Sequence, residues 1–470
     1  MRVSLTLAFC LFVLQSFAQP LSKKIEAAYA DFVDDTQLKY ATSSLTVLNA
    51  ITGDIIFSRN ENTGLAPAST LKTVISATAY YLLGQDFTWE TTLGYSGQVD
   101  VNGTLNGDLI LTGGGDPTLG SSRFEQTKPN VILNKWIDAI YKAGIKKING
   151  SVIADDRLFG TQTIPIGWIW QDIGNYYGAG PNALTWKENQ FDLSFKPGAK
   201  VAEATNLINV ENTSIQLKIV NEVTTGKIGS GDNVYVYSAP YSDVIYLRGT
   251  YGIDLKKIVK ASNPDPSLSL AATLQDTLKK LGIQINTTAT TARILAISNN
   301  KFLLPSTIIS VHKSPRLDQV IYWFNQKSIN LYGEHIVKTL GMKFGKEAST
   351  EEGMKVIKDF WKNKLQIDPN SMNIVDGSGL SPSTRITTLS IARILQSLKK
   401  EPWIAAYYES LPLINNTQMK SGSIADVLAY AGYQTNSTGD LLAFSFIVNN
   451  YNGSTSSIKS KMFSVLDMLK

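Results

Sequence analysis

One stretch constrains this chain more than any other: APASTLKTVISATAYYLL at residues 66–83. It reads as a helix running from Ser69 to Leu83, with Leu71, Val74, Ile75, Ala77, Ala79, Tyr80 and Leu82 covering every face. A helix that is apolar all round has no side to offer water, so it belongs at the buried centre of a core. At its mouth stand Ser69 and Lys72. Residues three apart share a helix face, and the free N–H groups at a helix start favour a developing oxyanion. Burial disfavours the charged form of a lysine, and a neutral amine beside a serine hydroxyl can activate a nucleophile. The same two residues also suit a capping serine and a snorkelling lysine. S-x-x-K recurs at Ser298, Ser310, Ser397 and Ser456, so the buried helix is what sets Ser69 apart.

Composition closes several other routes. The chain holds two histidines, His312 and His335, and a single cysteine, Cys10. A Ser-His-Asp site would need one of those histidines, and His335 reads as a packed residue of a helix. A zinc site needs more soft ligands than this, so no metal and no organic cofactor is expected. The segment MRVSLTLAFCLFVLQSFAQ has a basic start, an apolar run and a small-residue end, the pattern of a secretory leader cleaved near Ala18. Cleavage would leave an exported mature chain without cysteine. A formal charge of +5 spread along 470 residues does not suggest nucleic acid. No stretch beyond the leader is long and apolar enough to span a bilayer, so no transmembrane segment is expected in the mature chain.

The pattern along the chain predicts an amphipathic helix over 22–35, then a hairpin of strands 44–50 and 55–60 ahead of the apolar helix. From about 90 to 300 short strand-like runs alternate with Gly, Asn, Asp and Thr turns, TTARILAISNN among them, with helices at 128–144 and 269–281. Helices return at 315–325, 328–343, 350–363 and 387–399. The hairpin IADVLAYAGYQ and DLLAFSFIVNNY follows, and then a last helix. The first and last hairpins match in length and pattern, and the N-terminal segment is too small to build a core alone. This predicts one α+β domain from 22–95 and 305–470, with 96–304 inserted as one or two small β-rich domains.

Two later motifs join the first. QKSINLYGEHIV places Ser328 and Asn330 at a helix start, and MKSGSIADVLAYAGY carries Lys420-Ser421-Gly422 into a strand. Glycine there permits close backbone approach to a ligand, while Lys420 and the Ser421 hydroxyl suit a substrate carboxylate. S-x-x-K, S-x-N and K-[S/T]-G in this order resemble the penicillin-interacting serine enzymes. The stretch from Ser69 to Ser328 is far too long for a single-domain β-lactamase. It is similar to the D-alanyl-D-alanine carboxypeptidase/endopeptidase family of low-molecular-mass class C penicillin-binding proteins, which carries a large insertion there. GGGDPTL, ADDRLF, GWIWQDIGNYYGAGPNALTWKEN and DGSGLSPSTRIT agree with that family.

The resemblance implies a penicillin-binding/β-lactamase-like fold, an antiparallel sheet flanked by helices. Ser69 would be the acylated nucleophile and Lys72 its base. Ser328 would relay a proton and Asn330 bind the substrate backbone. Lys420 would complete the positive field, while Ser421 and Ser423 would hold the terminal carboxylate beside Gly422. The N–H groups of Ser69 and Ser423 would form the oxyanion hole. Ser421 stands where the family usually has threonine, and Thr384 where it usually has asparagine. The implied substrates are peptidoglycan stem peptides, with β-lactams as covalent inhibitors; a β-lactamase, an esterase and an inactive wall-binding protein are the alternatives.

Overall fold

Strands Val427–Thr435 and Leu441–Asn449 pair antiparallel and alternate strictly in where their side chains go. Leu428, Tyr430, Leu442, Phe444, Phe446 and Val448 enter a core built with helices Leu21–Val33 and Thr455–Leu466. Ala429, Ala431, Tyr433, Ala443 and Ile447 enter a second core around helix Leu71–Leu83. A period-2 pattern apolar on both faces demands a covered sheet, so helices lie on either side. The structure, a computed structural model, describes residues 20–470, and the expected leader lies outside them.

The sheet has six strands in the order Ile55–Arg59, Thr42–Asn49, Leu441–Asn449, Val427–Thr435, Thr417–Ile424 and Leu413–Ile414. Thr42–Asn49 pairs with Leu441–Asn449 from Thr42↔Asn449 to Asn49↔Leu442, which joins the two ends of the chain in one antiparallel layer. Helices Leu317–Gln326, Asn330–Phe344, Thr350–Leu365 and Thr388–Ser397 pack on the same side as the apolar helix.

Between these halves the chain builds two more cores. One surrounds helices Pro129–Lys142 and Pro266–Lys280; the other lies under strands Gln190–Lys196, Asp232–Tyr237 and Val244–Gly252. The outgoing strand Glu90–Tyr95 and the returning strand Thr307–Lys313 pair antiparallel with each other, in a five-stranded sheet of this middle region.

Local structure departs from expectation in four places. The α-helix begins at Leu71, after a 3-10 turn over Ala68–Thr70 that carries Ser69. Lys420–Gly422 lies inside strand Thr417–Ile424 rather than ahead of one. TTARILAISNN is strand only at Thr290–Thr291; the Thr291 side chain accepts from the Ile294 N–H and starts helix Ala292–Ile297 instead. A short helix at Ile404–Ser410 was not foreseen.

Candidate active site

Ser69 sits in a compressed turn. Ala68, just before it, takes a left-handed φ of 45°, a strained choice for a residue with a Cβ. Two glycines make the turn possible. A Cβ on Gly379 would lie 1.9 Å from the Ala68 carbonyl oxygen, and one on Gly422 would lie 2.7 Å from the Ser69 nitrogen. The nucleophile turn is thus clasped between the K-S-G strand and the DGSGLS loop, with its backbone nitrogen close against the strand.

Lys72 rises one turn into the helix and is fully buried. Its Nζ lies 2.9 Å from Ser69 Oγ, 2.7 Å from Asn330 Oδ1 and 2.7 Å from the Ser378 carbonyl oxygen. Asn330 Nδ2 donates to the Tyr177 carbonyl oxygen at 2.8 Å, which orients the amide. Two of the three Lys72 partners can therefore only accept. Burial, and secondarily the charge of Lys420, pushes the Lys72 amine well below its usual range. In the neutral form, two N–H groups would serve those acceptors and the lone pair would face the Ser69 hydroxyl.

The opposite wall is the start of helix Asn330–Phe344. Ser328, two residues before it, has a left-handed φ of 55° and lines the cleft with Ser69 and Asn330. On the third side, strand Thr417–Ile424 pairs with Val427–Thr435 along one edge, while the short strand Leu413–Ile414 covers only Thr417 and Gln418 on the other. Beyond those two residues that second edge has no strand partner among the described residues. Lys420 is buried, and burial lowers its amine to about 7. In the structure its Nζ donates to the Ser421 carbonyl oxygen at 2.8 Å. Ser423 is exposed and lines the cleft, whereas Ser421 is half-buried and outside its lining.

The sequence motifs did not disclose what supports these residues. Asp376 is buried and accepts from Trp168 Nε1, the Ser381 N–H, Ser378 Oγ and Thr384 Oγ1. Thr384 makes the shortest of these bonds, 2.6 Å, so its hydroxyl anchors the loop that delivers the Ser378 carbonyl to Lys72. Glu334, one turn beyond Asn330, accepts from the Gly377 N–H on both oxygens, and burial with the nearby Asp376 charge raises its carboxyl to about 8. The DGSG run was the only signal for this loop. Tyr177 left none beyond its place in a long polar-aromatic segment.

Neither histidine belongs here. His335 is buried, with Nδ1 2.8 Å from the Gly115 carbonyl oxygen and Nε2 3.0 Å from Thr185 Oγ1. A carbonyl only accepts, so Nδ1 carries the proton, and burial holds the ring neutral, lowered to about 3. His312 lies on the returning strand, 3.9 Å from Asp116, likewise lowered by burial, to about 4.

The cleft is open, about 730 Å³, and the middle region supplies much of its wall through Arg123, Asp172, Tyr176, Tyr177, Tyr235 and Lys260. A serine hydroxyl against a buried amine, a strained S-x-N corner and an unpaired K-S-G strand edge, on an antiparallel sheet covered by helices, define a serine hydrolase of the penicillin-binding fold. A sequence profile of the D-Ala-D-Ala carboxypeptidase 3 (S13) family matches residues 24–469. The chain belongs to that family and is a serine-type D-Ala-D-Ala carboxypeptidase.

Curated relatives include the D-alanyl-D-alanine carboxypeptidase of Actinomadura sp. (strain R39), 23% identical over 450 residues, covering 90% of this chain and 80% of that one. The D-alanyl-D-alanine carboxypeptidase DacB of Haemophilus influenzae is 25% identical over 441 residues, covering 87% and 85%. Among solved structures, penicillin binding protein 4 of Haemophilus influenzae shares the fold with a TM-score of 0.77 at 22% identity, covering 93% of this chain and 97% of its own. Among the described residues, no helix is long and apolar enough to cross a membrane.

Proposed function

We propose that Ser69 is the acylated nucleophile of a peptidase acting on peptidoglycan stem peptides in the periplasm, after cleavage of the leader near Ala18. The contact of Lys72 Nζ with Ser69 Oγ, beside two partners that can only accept, carries this reading. Lys72 takes the hydroxyl proton as Ser69 Oγ bonds to the D-Ala carbonyl carbon. The N–H groups of Ser69 and Ser423 hold the oxyanion. Ser328 passes the proton to the leaving amine as the amide bond breaks, and Asn330 holds the peptide backbone. Lys420 and the Ser423 hydroxyl attract the terminal carboxylate, with the Ser421 hydroxyl, two residues back on the same face of the strand, behind them. Water then hydrolyses the ester and restores Ser69.

Both the terminal D-Ala-D-Ala bond and the D-Ala–diamino-acid crosslink fit this chemistry, since each presents the same acyl half. β-Lactams acylate the same serine; a solved Haemophilus influenzae relative, 22% identical with a TM-score of 0.72, was crystallised with one. We also propose that 22–95 and 305–470 form the peptidase domain and 96–304 the inserted region; the pairing of Glu90–Tyr95 with Thr307–Lys313, which brings the two ends of the insertion together, supports this reading. The test is incubation with muropeptide monomers and crosslinked dimers, with products read by mass. Loss of one D-Ala from monomers, or splitting of dimers, is expected. Unchanged substrates would overturn the proposal.

A further inference from the structure

Strands Asp232–Tyr237 and Val244–Gly252 bury one face, through Val234, Val236, Ile245 and Leu247, and turn the other to solvent. An outer face of this kind normally carries polar residues. Here the register sets Tyr235 opposite Arg248 and Tyr237 opposite Tyr246, so three tyrosines and one arginine stand on one exposed surface. The Arg248 guanidinium lies 5.2 Å from the Tyr237 ring centre and 5.5 Å from that of Tyr246, and Glu222 holds its Nε at 2.7 Å. Trp170, 57% exposed, meets Tyr237 edge-on at 5.3 Å. Val220, opposite Tyr246 on the next strand, and Ile169, next to Trp170, are aliphatic and also exposed.

We infer that this face is a binding platform for the sugar rings of the peptidoglycan glycan strand. Rings of Trp and Tyr, with hydroxyl tips and an arginine fork between them, match a ligand that is apolar on its faces and polar round its edges. Tyr, Trp and Arg are also enriched at protein interfaces, so continuity with the active-site cleft is what selects the glycan, and a second copy of the chain is the occupant the test must exclude. The platform is continuous with the active-site cleft, because Tyr235 belongs to both. The substrate has the same continuity, since the stem peptide joins the scissile bond to the sugar of the glycan strand. This inference rests on the proposed peptidase reading and adds the glycan to its substrate.

The test uses the full mature protein with two probes: glycan strands freed of peptide, and a fluorescent penicillin. Wild-type protein is expected to bind the glycan. Tyr246→Ala and Trp170→Ala should each weaken that binding by about ten-fold or more and lower the release of products from intact sacculi, while penicillin acylation stays within about two-fold. A wild-type protein that acylates normally but ignores glycan overturns this inference alone, as do variants that bind glycan like wild type. A dimer in sedimentation that Tyr246→Asp dissolves would also overturn it, since a second copy would then cover the face. Absence of any acylation would instead overturn the peptidase reading.

Discussion

Replacing Gly422 by alanine inserts one methyl group where the nucleophile turn and the K-S-G strand meet. Its Cβ would stand 2.6 Å from the Pro67 carbonyl oxygen, 2.7 Å from the Ser69 nitrogen and 2.8 Å from the Thr70 nitrogen. All three are backbone atoms, so no side chain can swing away. Ordinary contact starts near 3.4 Å, so strand and turn must part by about 0.8 Å, close to the misplacement that costs ~10²-fold in rate. The strained atoms include the Ser69 N–H, a proposed oxyanion donor, and loss of one such donor costs ~10²–10³-fold. Both routes place the expected fall in fluorescent-penicillin acylation at about 10²-fold. Overpacking of this kind costs ~1–3 kcal/mol, which at ~2–4 °C per kcal/mol lowers Tm by roughly 2–12 °C and leaves a folded protein at room temperature. Acylation and Tm should be read on the same sample. Wild-type acylation in Gly422→Ala would refute the claim that this contact shapes the oxyanion site.

Lys72→Ala should remain folded by circular dichroism yet acylate ~10²–10⁴-fold more slowly, because Ser69 loses its proton acceptor. Thr384→Ala strips the buried Asp376 of its 2.6 Å partner and should cost ~1–3 kcal/mol in urea unfolding, with Thr384→Asn losing less because it keeps a donor. His335 is held neutral, lowered to about 3 from 6.5, so its contribution is full above 6.5 and is lost as pH falls towards 3. That amounts to about 3 kcal/mol by pH 4. Wild-type Tm should therefore drop more steeply than that of His335→Gln between pH 6.5 and 4, and parallel curves would contradict the assignment.

The central layer was legible because its residues leave no choice. A helix with Leu71, Val74, Ile75 and Tyr80 on different faces can only be buried, and alternation along 427–435 and 441–449 can only be a covered sheet. The three motifs lie far apart in sequence, and order alone told of their meeting. The shape of the site was less legible because it rests on contacts with no local signature. Tyr177 reaches Asn330 across more than 150 positions through a backbone carbonyl, which any residue type could supply. The left-handed φ of Ala68 goes with close packing against Gly379 and Gly422, far away in sequence, and that of Ser328 had no local signal either. The misread TTARILAISNN segment shows the same limit. β-Branched residues favour strand on average, and one capping hydroxyl at Thr291 decided otherwise.

The account turns on Ser69 as the atom that carries the acyl group. Intact-protein mass spectrometry after brief exposure to penicillin, followed by digestion, tests this most directly. The ring-opened drug keeps its leaving group tethered over the cleft, so the adduct should persist for minutes or longer. It should add the mass of one whole penicillin and map to the peptide bearing Ser69. A persistent adduct on another serine, or rapid turnover of penicillin with no lasting adduct, would contradict it.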